Sequence, residues 1–275
     1  MTQISASDVS KLRKLTGAGM MDCKKALEEA NGDIEKAIEI IRKKGQAIAT
    51  KRADREASEG AVLAKTNNDN TKGVVIALNC ETDFVARNSD FLSLANKILD
   101  IALEKFPLSL DELKNLEIEG KKISEKITEL IGIIGEKIEL SYYDYINAPM
   151  VIAYIHQGNK LATLVGFNKK TELQVAKDIA MQVAAMNPVA IDVDDVPQEI
   201  IEKEKEIGKE QARQEGKPEN MLDKIAEGKL KKFFQESTLL NQQFTKDNKI
   251  TIRQYLESID KELKVLSFKR YTLSI

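Results

Sequence analysis

One histidine, His156, and two cysteines, Cys23 and Cys80, are the entire supply of imidazole and thiol in 275 residues. Chemistry that needs a histidine pair or a multi-histidine metal site is thereby excluded, and two cysteines cannot build a disulfide framework or a cysteine-rich zinc site. Cys80 with His156 is the one conceivable thiol dyad; against it stands the reading of Cys80 as a small buried hydrophobe. Gly17-Ala18-Gly19 follows no strand and lacks the third glycine of a dinucleotide fingerprint, and no phosphate-binding loop motif occurs, so it reads as a turn. Asn67 to Lys72 is rich in oxygen ligands, but Lys72 and Leu78 stand where a calcium loop needs glycine and glutamate, which leaves a hairpin loop. The informative stretch is Asn79-Cys80-Glu81-Thr82-Asp83-Phe84-Val85-Ala86-Arg87-Asn88. An apolar strand ends there and an amphipathic helix begins, and such junctions hold side chains out for binding on a rigid base. Phenylalanine is ordinarily core, yet Thr82-Asp83 and Arg87-Asn88 imply solvent on both sides of Phe84.

The elements around that junction follow from periodicity. Ser5 to Gly45 reads as three short helices: Val9, Leu12 and Leu15 stripe the first, Cys23, Ala26, Leu27 and Ala30 the second, and Ile34, Ala37, Ile38 and Ile41 the third. Asn31-Gly32-Asp33 stops one helix and caps the next. A unit of about 40 residues has a marginal core, so part of its apolar surface is expected to serve contacts elsewhere, with Met20 and Met21 the candidates. Lys43 to Arg55 is basic and carries no apolar stripe, which predicts a linker. A hairpin, Gly60 to Thr66 and Gly73 to Asn79, precedes a helix over 89–105, a second over 120–131 and a strand over 137–146. The order then recurs with strands over 150–156 and 161–167 and a helix over 171–186.

Two strand-strand-helix blocks predict an α+β core of two similar halves, over 56–147 and 148–275, behind an N-terminal part over 1–55. Residues 199–232 differ in kind, with nine acidic and nine basic residues broken by Gly216-Lys217-Pro218. They predict an antiparallel helical hairpin, inserted at about 198–234, that projects from the core along a seam of Ile200, Ile207, Met221, Leu222, Ile225 and Leu230. A helix over 251–260 and a strand over 263–273 close the second half.

Composition sets the class. Forty-two basic against 44 acidic residues give a net charge of −2, which argues against a general nucleic-acid binder. No apolar run approaches the roughly 20 residues of a membrane span, and Met1 to Ser7 lack the order of a secretory signal, so a cytoplasmic protein is expected.

Several motifs carry a family resemblance. Thr16-Gly17-Ala18-Gly19-Met20-Met21-Asp22-Cys23-Lys24-Lys25-Ala26-Leu27 with Glu29 to Asp33, and Cys80 to Arg87, resemble the two signatures of the elongation factor Ts family, the bacterial nucleotide-exchange factors for elongation factor Tu. Ile179-Ala180-Met181, Gly216-Lys217-Pro218 and Glu227 to Phe233 extend the likeness over most of the chain. The resemblance implies an N-terminal three-helix domain of the ubiquitin-associated type, a two-part core and a projecting hairpin. It implies a partner, elongation factor Tu in its GDP-bound and nucleotide-free forms, with no direct nucleic acid or membrane contact. It also implies no bond chemistry and no cofactor of the chain's own. Thr82, Asp83, Phe84 and Val85 would enter the partner's nucleotide domain and dislodge its magnesium. Arg13, Met20, Met21 and Lys24 would make an N-terminal contact, and Ile134, Gly135 and His156 contacts from the core. Ending at Ile275, the chain would lack a C-terminal helical module found in some members, and exchange is expected to survive without it. The rival readings are a peptide adaptor working through Met20 and Met21, with Phe84 dispensable, and a thiol enzyme working through Cys80 and His156.

Overall fold

The computed structural model describes residues 4–273; the expectations resting on Met1 and on the end at Ile275 lie outside them. Three helices open it: α1 (Ala6–Thr16), α2 (Met20–Glu29) and α3 (Ile34–Arg52). Ser5 and Asp8 form a reciprocal cap on α1. Gly32, at a φ of 87°, turns the chain out of α2, and the Asp33 carboxylate then accepts from the Lys36 N–H at 3.1 Å to cap α3. Leu12, Cys23, Leu27 and Ala37 are fully buried at the centre of the three helices. Leu15, expected in the buried stripe of α1, instead faces solvent.

The hairpin follows as β1 (Glu59–Thr66) and β2 (Lys72–Cys80), and then come the single turn α4 (Asp83–Ala86), α5 (Ser89–Lys105), α6 (Leu110–Asn115), the two-residue strands β3 (Glu117–Ile118) and β4 (Lys121–Lys122), α7 (Ile123–Ile134) and β5 (Ile138–Asn147). The second half runs β6 (Met150–Ile155), β7 (Leu161–Phe167), α8 (Leu173–Met186), α9 (Gln198–Gln214), α10 (Leu222–Ser237), β8 (Gln243–Phe244), β9 (Asp247–Thr251), α11 (Ile252–Ile259) and β10 (Val265–Thr272). Helices and strands thus form the expected α+β fold. Each half contributes a three-stranded antiparallel sheet, in the order β1-β2-β5 in the first and β6-β7-β10 in the second. The same strand order recurs in both.

The strands are apolar on both faces because both faces are covered. Ala61, Leu63, Val74, Ile76 and Leu78 pack against α5 and α7, while Val62, Ala64, Val75 and Ala77 meet Val151, Ala162 and Leu164 of the second sheet. Helices α8 and α11 cover that sheet's other side through Ile179, Val183, Ile252 and Leu256. The core is therefore four layers, helix, sheet, sheet, helix. Glycine lets the two sheets meet: a Cβ at Gly73 would come within 2.7 Å of Val151, and one at Gly166 within 2.7 Å of Ile146.

Two expectations change. The basic stretch read as a linker is helical as far as Arg52, because α3 crosses α7 with Gly45 laid against Gly132 while Ile48 and Ala49 reach the first-half core. The charged segment is an antiparallel pair, α9 and α10, whose principal packing partners are each other. Its seam, however, is made of Gly208, Ala212, Leu222, Ala226 and Leu230, with Ile207 and Met221 exposed. Gly208 permits this, since a Cβ there would lie 3.3 Å from Ala226 Cα.

Candidate partner-binding site

Phe84 stands on α4, between the end of β2 and the start of α5, and 82% of its surface is open to solvent. Exposing so large an apolar side chain forgoes about 1.5–3 kcal/mol of burial, so the local backbone must be held by other means. Thr82 caps α4 by accepting from the Val85 N–H at 3.4 Å, and Val85 is buried in the first-half core. Asp83 forms an ion pair with Arg87, one turn on, at 3.1 Å. Asn88 starts α5 by accepting from the N–H groups of Asp90 and Phe91, at 2.8 and 3.3 Å. The corner is fixed on both sides of the exposed ring.

Beneath it lie two carboxylates. The last ladder pair of β2 and β5 is Cys80 with Ile138. Just past it the Glu136 carboxylate accepts from the Thr82 N–H at 3.0 Å and from the Thr82 hydroxyl at 2.8 Å. In return the Glu81 carboxylate accepts from the Lys137 N–H at 2.6 Å. Glu81 also receives the Arg52 guanidinium of α3, at 2.7 and 2.9 Å to its two oxygens, with Arg55 at 3.4 Å. Burial works against the charge on Glu81, but the Lys137 N–H and the Arg52 guanidinium outweigh it and hold its carboxyl below the ordinary range.

Ile134 and Gly135 immediately precede Glu136, and Gly135 ends α7 in the left-handed region at a φ of 82°. These two and the 82–85 segment are thus brought to one place. The N-terminal candidates lie on α1 and α2: Met20 and Met21 open α2 and are 60% and 64% exposed, Leu15 is 60% exposed, and Arg13 and Lys24 are exposed. Gly17, between the two helices, lies against α7, since a Cβ there would lie 3.0 Å from Ile133 Cδ1. His156 follows β6 on the second half; its ring Nδ1 lies 2.9 Å from the Tyr154 hydroxyl, and its backbone N–H donates to the Leu161 carbonyl.

The proposed thiol dyad does not form. The Cys80 thiol donates to the Thr82 carbonyl at 3.2 Å, while His156 is paired with Tyr154. Burial, helped by the Glu136 and Glu59 carboxylates, pushes the Cys80 thiol up to about 12, the opposite of an activated nucleophile. Among the described residues no cluster of histidine, cysteine and carboxylate side chains could hold a metal ion. No described helix is long and apolar enough to cross a membrane. Sequence reasoning missed Arg52 and Glu136, which lie far from the junction in the chain and carry no local signal, as well as the exposure of Leu15.

An exposed aromatic ring held on a braced corner is a surface suited to docking against another macromolecule. Comparison with known proteins agrees. Residues 81–274 match the family model described as Elongation factor TS. Elongation factor Ts of Christiangramia forsetii is 53% identical over 99% of this chain and 100% of the relative, and that of Amoebophilus asiaticus is 55% identical over 97% and 98%. Elongation factor Ts of Porphyromonas gingivalis is 53% identical over 98% of each chain. The chain belongs to the elongation factor Ts family, and with it to the translation elongation factors that serve nucleotide exchange.

Proposed function

We propose that the chain binds elongation factor Tu carrying GDP and accelerates GDP release by pressing Phe84 into the nucleotide domain, dislodging the magnesium ion and letting GTP rebind. The chain performs no bond chemistry, and magnesium and nucleotide belong to the partner. It acts in the cytoplasm without touching nucleic acid, and its parts are an N-terminal domain over 1–55, a first core half over 56–147 and a second over 148–275 that carries the hairpin.

The observation that carries the reading is Phe84, a large apolar ring held in solvent by a rigid corner. Weakening GDP about 1,000-fold needs about 4 kcal/mol of coupling, and linkage makes GDP weaken the exchange factor equally. Burying Phe84 contributes about 1.5–3 kcal/mol, so one ring does not suffice. The N-terminal contacts at Met20, Met21, Arg13 and Lys24 and the core contacts at Ile134, Gly135 and His156 supply the remainder in this reading.

Stopped-flow release of a fluorescent GDP from elongation factor Tu, at fixed magnesium, is the test. Wild type should accelerate release, and Phe84→Ala should lower the maximal rate roughly ten- to hundredfold, the equivalent of the lost burial. Equal rates for the two proteins remove Phe84 from the mechanism. No acceleration by wild type removes the exchange reading.

A further inference from the structure

We infer that Glu136 is the positioning residue that aims Phe84, an inference that rests on the exchange reading above. A β-ladder normally ends where backbone donors and acceptors stop meeting, and the chain beyond it is free to fray. Here the ladder of β2 and β5 is extended one step past Cys80 and Ile138 by side chains in place of carbonyls. Glu136 takes the N–H of residue 82 and Glu81 takes the N–H of residue 137, so two carboxylates cross between the strands.

The two arms of the brace differ in what they fix. Glu81 is anchored by Arg52 and so ties the strand ends to α3. Glu136 alone reaches the wedge. By accepting the Thr82 hydroxyl proton at 2.8 Å, it leaves an oxygen lone pair of Thr82 turned toward the Val85 N–H, and that bond caps the single turn on which Phe84 stands. A four-residue helix has no cooperative length of its own; one backbone bond, from the Ala86 N–H to the Thr82 carbonyl at 3.1 Å, closes it, and the Thr82 cap held by Glu136 adds the second tie at its start. Charge-assisted bonds of this kind are about twice as strong as neutral ones, which suits a part that must not yield when loaded. Glu136 is also the residue after Gly135, so a partner pressing on Ile134 and Gly135 presses on the base of the wedge.

The inference makes Glu136 act through Phe84 and nowhere else, which a double-mutant cycle reads directly. GDP release from elongation factor Tu is measured for wild type, Phe84→Ala, Glu136→Ala and the double variant, each checked for an intact fold by circular dichroism. Glu136→Ala should lower the maximal release rate about tenfold or more, as misplaced contact groups do, while the half-saturating concentration stays within about threefold. In the Phe84→Ala background the same change should do almost nothing. Glu136→Gln keeps one oxygen for the Thr82 N–H and should recover part of the loss. An equal effect of Glu136→Ala with and without Phe84 overturns the inference, as does no effect in wild type, or a glutamine variant no better than alanine. If wild type fails to accelerate release, the exchange reading falls and this inference falls with it.

Discussion

Gly132→Ala tests the packing that joins the N-terminal helices to the core. Alanine in place of glycine on an open helix is stabilising by about 1 kcal/mol, because glycine has more backbone freedom to lose. At Gly132 the opposite sign is expected. A Cβ there would lie 2.8 Å from Gly45 Cα of α3, closer than real Cβ atoms approach, and the atom in the way is backbone, which no rotamer change can move aside. Overpacking of this kind costs about 1–3 kcal/mol, so the net effect is a loss of about 1 kcal/mol after the propensity gain. Gly228 of α10 is the internal control, with nothing within 4 Å of its missing Cβ. For a chain of this size about 1 kcal/mol moves Tm by roughly 2–4 °C. Thermal melts followed by far-ultraviolet circular dichroism, in one buffer, should therefore show Gly132→Ala below wild type and Gly228→Ala above it. Because α7 runs on into Ile134, Gly135 and Glu136, Gly132→Ala should also slow exchange, and Gly228→Ala should not. A melt of Gly132→Ala at or above wild type would refute the close helix crossing and, with it, the account of why α3 extends to Arg52.

Two further outcomes follow from the buried and paired groups. Cys80→Ala should leave exchange within about twofold of wild type, since the thiol only packs and donates to Thr82; the native Cys80 thiol should also resist alkylation near neutral pH, where a group raised to about 12 is almost wholly protonated. Glu119, bonded by Lys126 and Lys97, has a carboxyl drawn down from 4.5 to about 2 in the folded state. A depressed folded value adds stability that is fully present above about pH 4.5 and is lost as pH falls toward 2. The Tm difference between wild type and Glu119→Gln should thus be largest near neutrality, shrink across that window, and shrink also in high salt because the group is exposed.

What could be read in the chain beforehand divides along physical lines. The helix over Ser89–Lys105 was legible because six apolar positions repeat at helical spacing along it. The hairpin of β1 and β2 was equally plain. The continuation of α3 was not, because its decisive contact is made by Gly45, a residue with no side chain to register in any apolar pattern. The seam of α9 and α10 misled for the same reason: Gly208, Ala212 and Ala226 are too small to dominate a hydrophobic stripe, while the more apolar Ile207 and Met221 lie on the outside. The six-residue helix α6 offers just the buried Leu113 and the half-buried Leu110 to the core and escaped notice. At the site, Phe84 announced itself through its polar neighbours. Its support did not, since Glu136 and Thr82 are 54 positions apart and meet only through the pairing of β2 with β5.

A wedge works only if it is stiffer than the body it enters. The two sheets of this core meet through close-packed buried side chains, among them Val62, Val75, Ala77, Val151 and Leu164, with Gly73 and Gly166 where the approach is tightest. Close-packed interiors have low compressibility and transmit strain. In the proposed exchange reading, a thrust delivered at Phe84 would be returned through β2 and its neighbours to the second sheet and its helices with small recoil, and the compliance of the encounter would fall on the partner.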